Sequence, residues 1–309
     1  MSSDIILVTD YLRNDLDGVA CIYSYSEFLQ RKGVNAIGAT FTKPHREAQF
    51  VIDSFKIKKL GDADKIIGTC DGVILVDASD VKGISPKIAP SRVIEIIDHR
   101  KMNEAEKFPN AKVQIEFVGS AATLIAEKFY KSRIPISKES AILLALAIVS
   151  NTINFKAGVT TERDKRMYKW LGPKAKIPKN FAHKMFVHKS KFNKPLKNII
   201  EEDFASLRLG NKEFGIAQLE IVGVEKFVNN NLENIRKILF GIKKKKSQDF
   251  IFLTCIDVEK GFNIFVTIDE KTEKLISSTF RVKFVEGVAK RPGVIMRKEI
   301  TPLIKGALL

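Results

Sequence analysis

The stretch Val93-Ile94-Glu95-Ile96-Ile97-Asp98-His99-Arg100 constrains this chain more than any other. Four of its first five residues are aliphatic, the pattern of a strand buried on both faces of a parallel sheet. It then ends in a carboxylate, an imidazole and a guanidinium. In an open α/β sheet, ligands bind beyond the carboxyl ends of the strands, so these three side chains stand where chemistry is done. The same form recurs elsewhere. Gly72-Val73-Ile74-Leu75-Val76 delivers Asp77, and residues 4–9 lead through Asp10 to Asn14-Asp15-Leu16-Asp17-Gly18. The apolar run that begins at Leu143 ends in Ser150-Asn151-Thr152. Four apolar runs thus each deliver a carboxylate, imidazole or amide at one end.

These runs alternate with helical patterns. Residues 4–9 form a first strand, and Val19 to Leu29 has helical spacing with Gly33 beyond it as a stop. Residues 35–41 read as a second strand and 46–55 as a helix. Strands follow at 73–77, 93–97 and 113–117. Gly119-Ser120 opens a helix through Lys131, and Ser137 starts the next, which carries residues 141–149. Thr161-Glu162-Arg163-Asp164 fits a capping box and begins a helix ending near Gly172-Pro173. The alternation predicts an α/β domain with a mostly parallel sheet. From Pro173 to Pro195 the texture becomes lysine-rich and proline-punctuated, as in a linker with room for a helical part. Beyond it the sequence predicts helices at 196–203 and 230–241, strands at 206–209, 214–222, 250–257, 262–268 and 278–284, and a solvated loop at Lys243-Lys244-Lys245-Lys246. The expected division is 1–188 and 189–309, the second part a smaller α+β domain.

Bulk properties narrow the function less. The 309 residues can bury one large core or two ordinary ones. No apolar run reaches the ~18 residues of a membrane helix, and the first residues carry no basic signal-peptide region. Cys21, Cys70 and Cys255 are far apart and lack metal spacing, which fits reduced thiols in a cytoplasmic protein. The formal charge of +16 fits either an anionic partner or a lysine-rich bias, since most lysines are scattered.

The acids at the run ends carry the chemistry. Asp15, Asp17, Asp77, Asp98 and His99 sharing one cavity as bare anions would be costly. Carboxylates with one imidazole and no thiolate suit Mn2+ or Mg2+, with Co2+ open, as one or two ions. Two such ions can hold a hydroxide between them and clamp a phosphate, with Asp77 as the shared bridge. Asp15, Asp17 and Asp77 would serve equally well as helix caps.

In this order Asp15-Leu16-Asp17, Asp77, Asp98-His99-Arg100 and Ser150-Asn151-Thr152 resemble the four motifs of the DHH phosphoesterase superfamily. Residues 116–125, Asn154-Phe155-Lys156 with Thr160 to Asp164, and Arg297-Lys298 with Pro302-Leu303 resemble segments of the manganese-dependent (family II) inorganic pyrophosphatases. The chain has no Gly-Gly pair, unlike DHH proteins that cleave dinucleotides or short RNA. Asp-His-Arg and Asp-Leu-Asp resemble the Prune/exopolyphosphatase branch. The resemblance implies an N-terminal Rossmann-like DHH domain and a C-terminal DHH-associated domain of the second type. It implies Asp15, Asp17, Asp77, His99 and Asn151 as metal ligands, the first four as catalytic, and Arg100, Arg297 and Lys298 as substrate-binding cations. Departures from the family pattern are clear. Tyr11 stands at a ligand histidine, Asn14 at a proline, Asn151 at an aspartate, Arg100 at a second histidine, Ala205 at a substrate lysine and Met296 at a serine.

The implied activity is cleavage of a small phosphoanhydride, pyrophosphate or short polyphosphate, by a metal-bound hydroxide. Two alternatives remain at this point: an impaired DHH-fold protein that binds a phosphorylated ligand or partner, and a nucleotide or oligonucleotide phosphodiesterase. The implied partner is a small phosphorylated substrate. A membrane is not expected, nucleic acid is open but not favoured, and a homodimer is open.

Overall fold

The computed structural model describes residues 4–101 and 103–308. They form two compact units. The first runs up to Phe155 and includes Val159–Met185; the second comprises Lys156–Gly158 and the chain from Phe186 onward.

The first unit is a six-stranded parallel sheet in the order β3-β2-β1-β4-β5-β6. Its strands are β1 (Ile6–Thr9), β2 (Ala36–Thr40), β3 (Gly61–Asp62), β4 (Gly72–Val76), β5 (Val93–Asp98) and β6 (Lys112–Ile115). Its helices are α1 (Leu16–Arg31), α2 (Arg46–Phe55), α3 (Ala121–Ser132), α4 (Lys138–Asn151) and α5 (Glu162–Ala175). In this order the chain reverses direction across the sheet between β1 and β4, which opens a crevice beyond their carboxyl ends. The two-residue β3 is too short to leave a pattern in the sequence. β4 is buried at every position, as its unbroken aliphatic run requires.

The fourth apolar run is the end of the expected helix, α4. Every residue from Ser140 to Ser150 is buried, because α4 packs against α1, α3 and α5. A helix covered all round loses the polar stripe that marks an amphipathic one, so its sequence is apolar throughout. α5 begins at the expected capping box: Thr161 accepts from Asp164 N–H while the Asp164 side chain accepts from Thr161 N–H. The helix continues through Pro173 to Ala175.

The second unit holds a mixed sheet, β11-β10-β9-β8-β7. Its elements are α6 (Phe181–Ser190), which begins in the preceding unit, α7 (Leu196–Asp203), β7 (Ala205–Leu209), β8 (Lys212–Ile221), α8 (Val224–Lys245), β9 (Phe250–Asp257), β10 (Phe262–Thr267), α9 (Glu270–Phe280), β11 (Val288–Pro292) and α10 (Arg297–Leu308). β8 and β9 are parallel and joined by α8; the other pairs are antiparallel. Alternation along β8 sends Ala217, Leu219 and Ile221 into the core under α8, and Phe214 and Ile216 into the core under α9 and α10.

The stretch 173–195 is part helical, with α6 filling Phe181–Ser190 between irregular segments. Two sequence expectations fail here. The lysine run is not a loop: Lys243 to Lys245 form the last turn of α8, where exposed carbonyls favour cations, and Lys243 also pairs with Asp269 at 2.8 Å. The strand expected at 278–284 is the end of α9 and its exit. Asp269 caps that helix by accepting from Thr272 N–H, and the strand comes later, as β11 on the sheet edge. No helix among the described residues is long and apolar enough to cross a membrane.

Candidate metal centre

Three carboxyl-end positions converge at the crevice. Asp10 follows β1, Asp77 follows β4, and Asp98-His99-Arg100 closes β5. Asp77 turns there with φ +53°, a left-handed conformation that Asp tolerates better than most residues. Its N–H donates to Ile97 O at 2.8 Å, which ties the β4 exit to β5. From the α1 side come Asp15 and Asp17. Asp15 caps the helix, its Oδ1 accepting from the N–H groups of Asp17 and Gly18 at 2.9 and 3.1 Å. Capping occupies only one of its oxygens.

Asp17, Asp77 and His99 are all buried and each offers one donor atom, the three lying within 4.8 Å of one another. His99 Nε2 is 3.5 Å from Asp77 Oδ1 and 3.8 Å from Asp17 Oδ2. His99 Nδ1–H donates to Val118 O at 2.9 Å, which turns Nε2 toward the carboxylates. A backbone carbonyl holding the far nitrogen is the usual support of a metal-ligating histidine. Two carboxylates and an imidazole are a hard-to-borderline donor set suited to Mn2+ or Mg2+. Cys21 lies beside Asp17, its Sγ 3.7 Å from Oδ1, but burial and the Asp17 charge push its thiol well up, so it stays an S–H group. Asp10 adds a carboxylate 2 % exposed whose Oδ1 has no hydrogen-bond partner among the described residues. The residues present fit a divalent ion.

The supporting shell is specific. Asp17 is set against the N-terminus of α3. Its Oδ1 accepts from Ser120 Oγ and Ala122 N, at 2.8 and 2.9 Å, and its Oδ2 accepts from Ala121 N at 2.9 Å. The Asn151 amide nitrogen also donates to Asp17 Oδ2. Even so, burial, with the Asp77 charge second, pushes the Asp17 carboxyl up to about 7. The Ser120 turn is itself fixed by Asp164, which accepts from Gly119 N at 2.9 Å and Thr123 Oγ1 at 2.6 Å. Asp98 braces the cluster, accepting from His99 N at 2.7 Å, from Ser79 Oγ and from Arg100.

Of the residues expected from sequence, Asp17, Asp77, His99, Asn151 and Arg100 meet here, and Asp15 caps the adjoining helix. Tyr11 takes no place in the cluster; its hydroxyl donates to Asp80 at 2.5 Å. Arg297 and Lys298 lie in the other unit, at the start of α10, where Arg297 pairs with Asp203 at 2.9 Å. Sequence reasoning missed Ser120 and Asp164 as positioning residues. Ser120 had a readable signal, as a helix N-cap before an alanine-rich turn; Asp164 was recognised only as a cap.

Gly18 belongs to the same construction. A Cβ there would lie 2.0 Å from Asp10 Oδ2. Gly18→Ala should therefore destabilise the fold by about 1–3 kcal/mol through overpacking, despite the better helix propensity of alanine. Denaturant unfolding measures this, and a neutral or stabilising result would mean that Asp10 moves freely.

No family model matches the chain. A Clostridium acetobutylicum protein named probable manganese-dependent inorganic pyrophosphatase is 26 % identical over 310 residues, covering 99 % of this chain and 98 % of that protein. A Bacillus cereus protein of the same name is 25 % identical over 305 residues, 98 % of each. A crystal structure of a Methanococcus jannaschii protein assigned to the family II inorganic pyrophosphatases superposes with a TM-score of 0.77 at 26 % identity, over 98 % of this chain and 99 % of that one. An exopolyphosphatase-related protein from Bacteroides fragilis shares the fold at 14 % identity and a TM-score of 0.51, over 99 % of this chain and 92 % of that one. With its likeness running the full length, the chain is a divergent relative of proteins named manganese-dependent inorganic pyrophosphatase and has the two-domain fold of the family II structure.

Proposed function

We propose that this protein is a divalent-metal-dependent phosphohydrolase that cleaves a small phosphoanhydride, inorganic pyrophosphate or a short polyphosphate. The observation that carries the reading is the buried Asp17, Asp77 and His99 set, with His99 oriented by its bond to Val118 O. An ion bound there, Mn2+ or Mg2+, supplies Lewis acidity that polarises phosphoryl oxygens and lowers the pKa of the attacking water. The chain's own groups do the rest. The α3 N-terminus and Ser120 hold Asp17 in place, and Asp98 holds the His99 backbone. Arg100 adds a fixed positive charge beside Asp77, where phosphate charge would accumulate. Asp15 and Asn151 complete the donor set in this reading, and Arg297 and Lys298 act as cations for the phosphate groups.

The names of the relatives give no support to the reading as an impaired binder. Three buried cysteines, all free thiols, favour a cytoplasmic setting. Phosphate release from pyrophosphate, tripolyphosphate and a mononucleotide panel, with Mn2+, Mg2+ or Co2+, tests the proposal. The expected result is metal-dependent release, fastest from pyrophosphate or tripolyphosphate. Release from nucleotides alone, or none with any metal from folded protein, would overturn it.

A further inference from the structure

We propose that this protein takes a single divalent ion, and that the Arg100 guanidinium stands where a second cation would neutralise Asp77. The inference rests on the phosphohydrolase reading and specifies its metal content.

The Arg100 guanidinium addresses both oxygens of the Asp77 carboxylate. Its Nη2 is 3.3 Å from Oδ1 and 3.4 Å from Oδ2. Its Nη1 donates to the backbone oxygen of Asp77 at 2.5 Å and lies 3.3 Å from Asp98 Oδ2. Two carboxylates at adjacent strand ends thus share one organic cation. Burial opposes that charge, but Asp77 and Asp98 outweigh it and hold Arg100 protonated.

The cation is locked in place. The Tyr11 ring lies over it, 4.6 Å from guanidinium carbon to ring centroid. Tyr11 cannot easily yield. Its hydroxyl donates to Asp80 and accepts from Ser79 N at 3.1 Å, and its ring fills the space beside Gly83, where a Cβ would meet Tyr11 Cδ1 at 2.2 Å. Tyr11 and Arg100 stand at two positions where the family pattern has a histidine and this chain does not, and here they touch each other. One departure removes a neutral donor, and the other installs a positive charge. A fixed unit charge within hydrogen-bond distance of Asp77 repels a second divalent ion strongly in a partly desolvated site. Asp17 and His99 remain beside Asp77 for one ion.

Titration of the full chain with Mn2+, following free and bound ion by electron paramagnetic resonance and heat by calorimetry, tests this. The expected result is one Mn2+ per chain with the signal of an isolated ion. Arg100→Gln should tighten that ion about tenfold or more, because it removes the competing charge. Tyr11→His combined with Arg100→His should raise the stoichiometry to two and give an exchange-coupled signal. Two ions in the native chain would overturn the inference, and loss of one of them in Asp10→Asn would show which carboxylate had been recruited instead. Unchanged affinity and stoichiometry in Arg100→Gln would overturn it as well. A folded native chain that binds no Mn2+ would remove both this inference and the hydrolase reading. One bound ion without phosphate release would remove the hydrolase reading alone.

Discussion

Asp77→Asn should lower Mn2+ affinity by at least about a hundredfold and phosphate release by about a thousandfold or more, while the protein stays folded. Asp77 faces both His99 Nε2 and the Arg100 guanidinium. The amide keeps its shape and its tolerance of a left-handed backbone, so the β4 exit at φ +53° should survive. What disappears is a negative charge in a buried donor set. Asp17 then remains beside His99. Calorimetric titration with Mn2+ and a phosphate-release assay on the same preparation measure the two effects. Near-native Mn2+ affinity in the variant would place the ion elsewhere.

The metal-free protein should lose thermal stability as pH rises from about 4 to about 8, by about 5 °C or more. Burial, with Asp77 second, holds the folded Asp17 carboxyl up at about 7, against 3.8 as its ordinary value. Between those two values the folded chain binds a proton that the unfolded chain releases. Its contribution is therefore present below pH 4 and is lost as pH climbs toward 7. Asp10, also raised by burial first and by Asp15 second, acts in the same direction. Mn2+ requires these acids deprotonated, so the stabilisation it gives should grow from pH 6 to pH 8 and reverse the loss. Differential scanning calorimetry with and without Mn2+ across that range measures both arms. A metal-free melting temperature that rises steadily to pH 8 would show that Asp17 is already ionised in the folded protein.

Much of this arrangement was legible in the chain because parallel strands write themselves plainly. Val73 to Val76 and Val93 to Ile97 are almost wholly aliphatic, and the acids that follow them could only sit at a strand exit. The capping box at Thr161 was equally open to reading, since its two partners are three residues apart. Other features lay beyond local pattern. The 278–284 segment alternates enough to suggest a strand, yet the Asp269 cap and the first-turn acids Glu270 and Glu273 commit the preceding residues to a helix. Ser120 meets Asp17 across more than a hundred residues of sequence, and Tyr11 stacks on Arg100 only because β1 and β5 both flank β4. Residue types alone marked Tyr11 and Arg100 as two separate losses; their contact joins them into one alternative way of balancing charge.

The most direct test of the metal centre is anomalous diffraction at the manganese edge from crystals grown with Mn2+. The account predicts an anomalous peak bonded to Asp17, Asp77 and His99 Nε2. A peak at other residues, or no peak at this cluster in crystals that bind Mn2+, would contradict it.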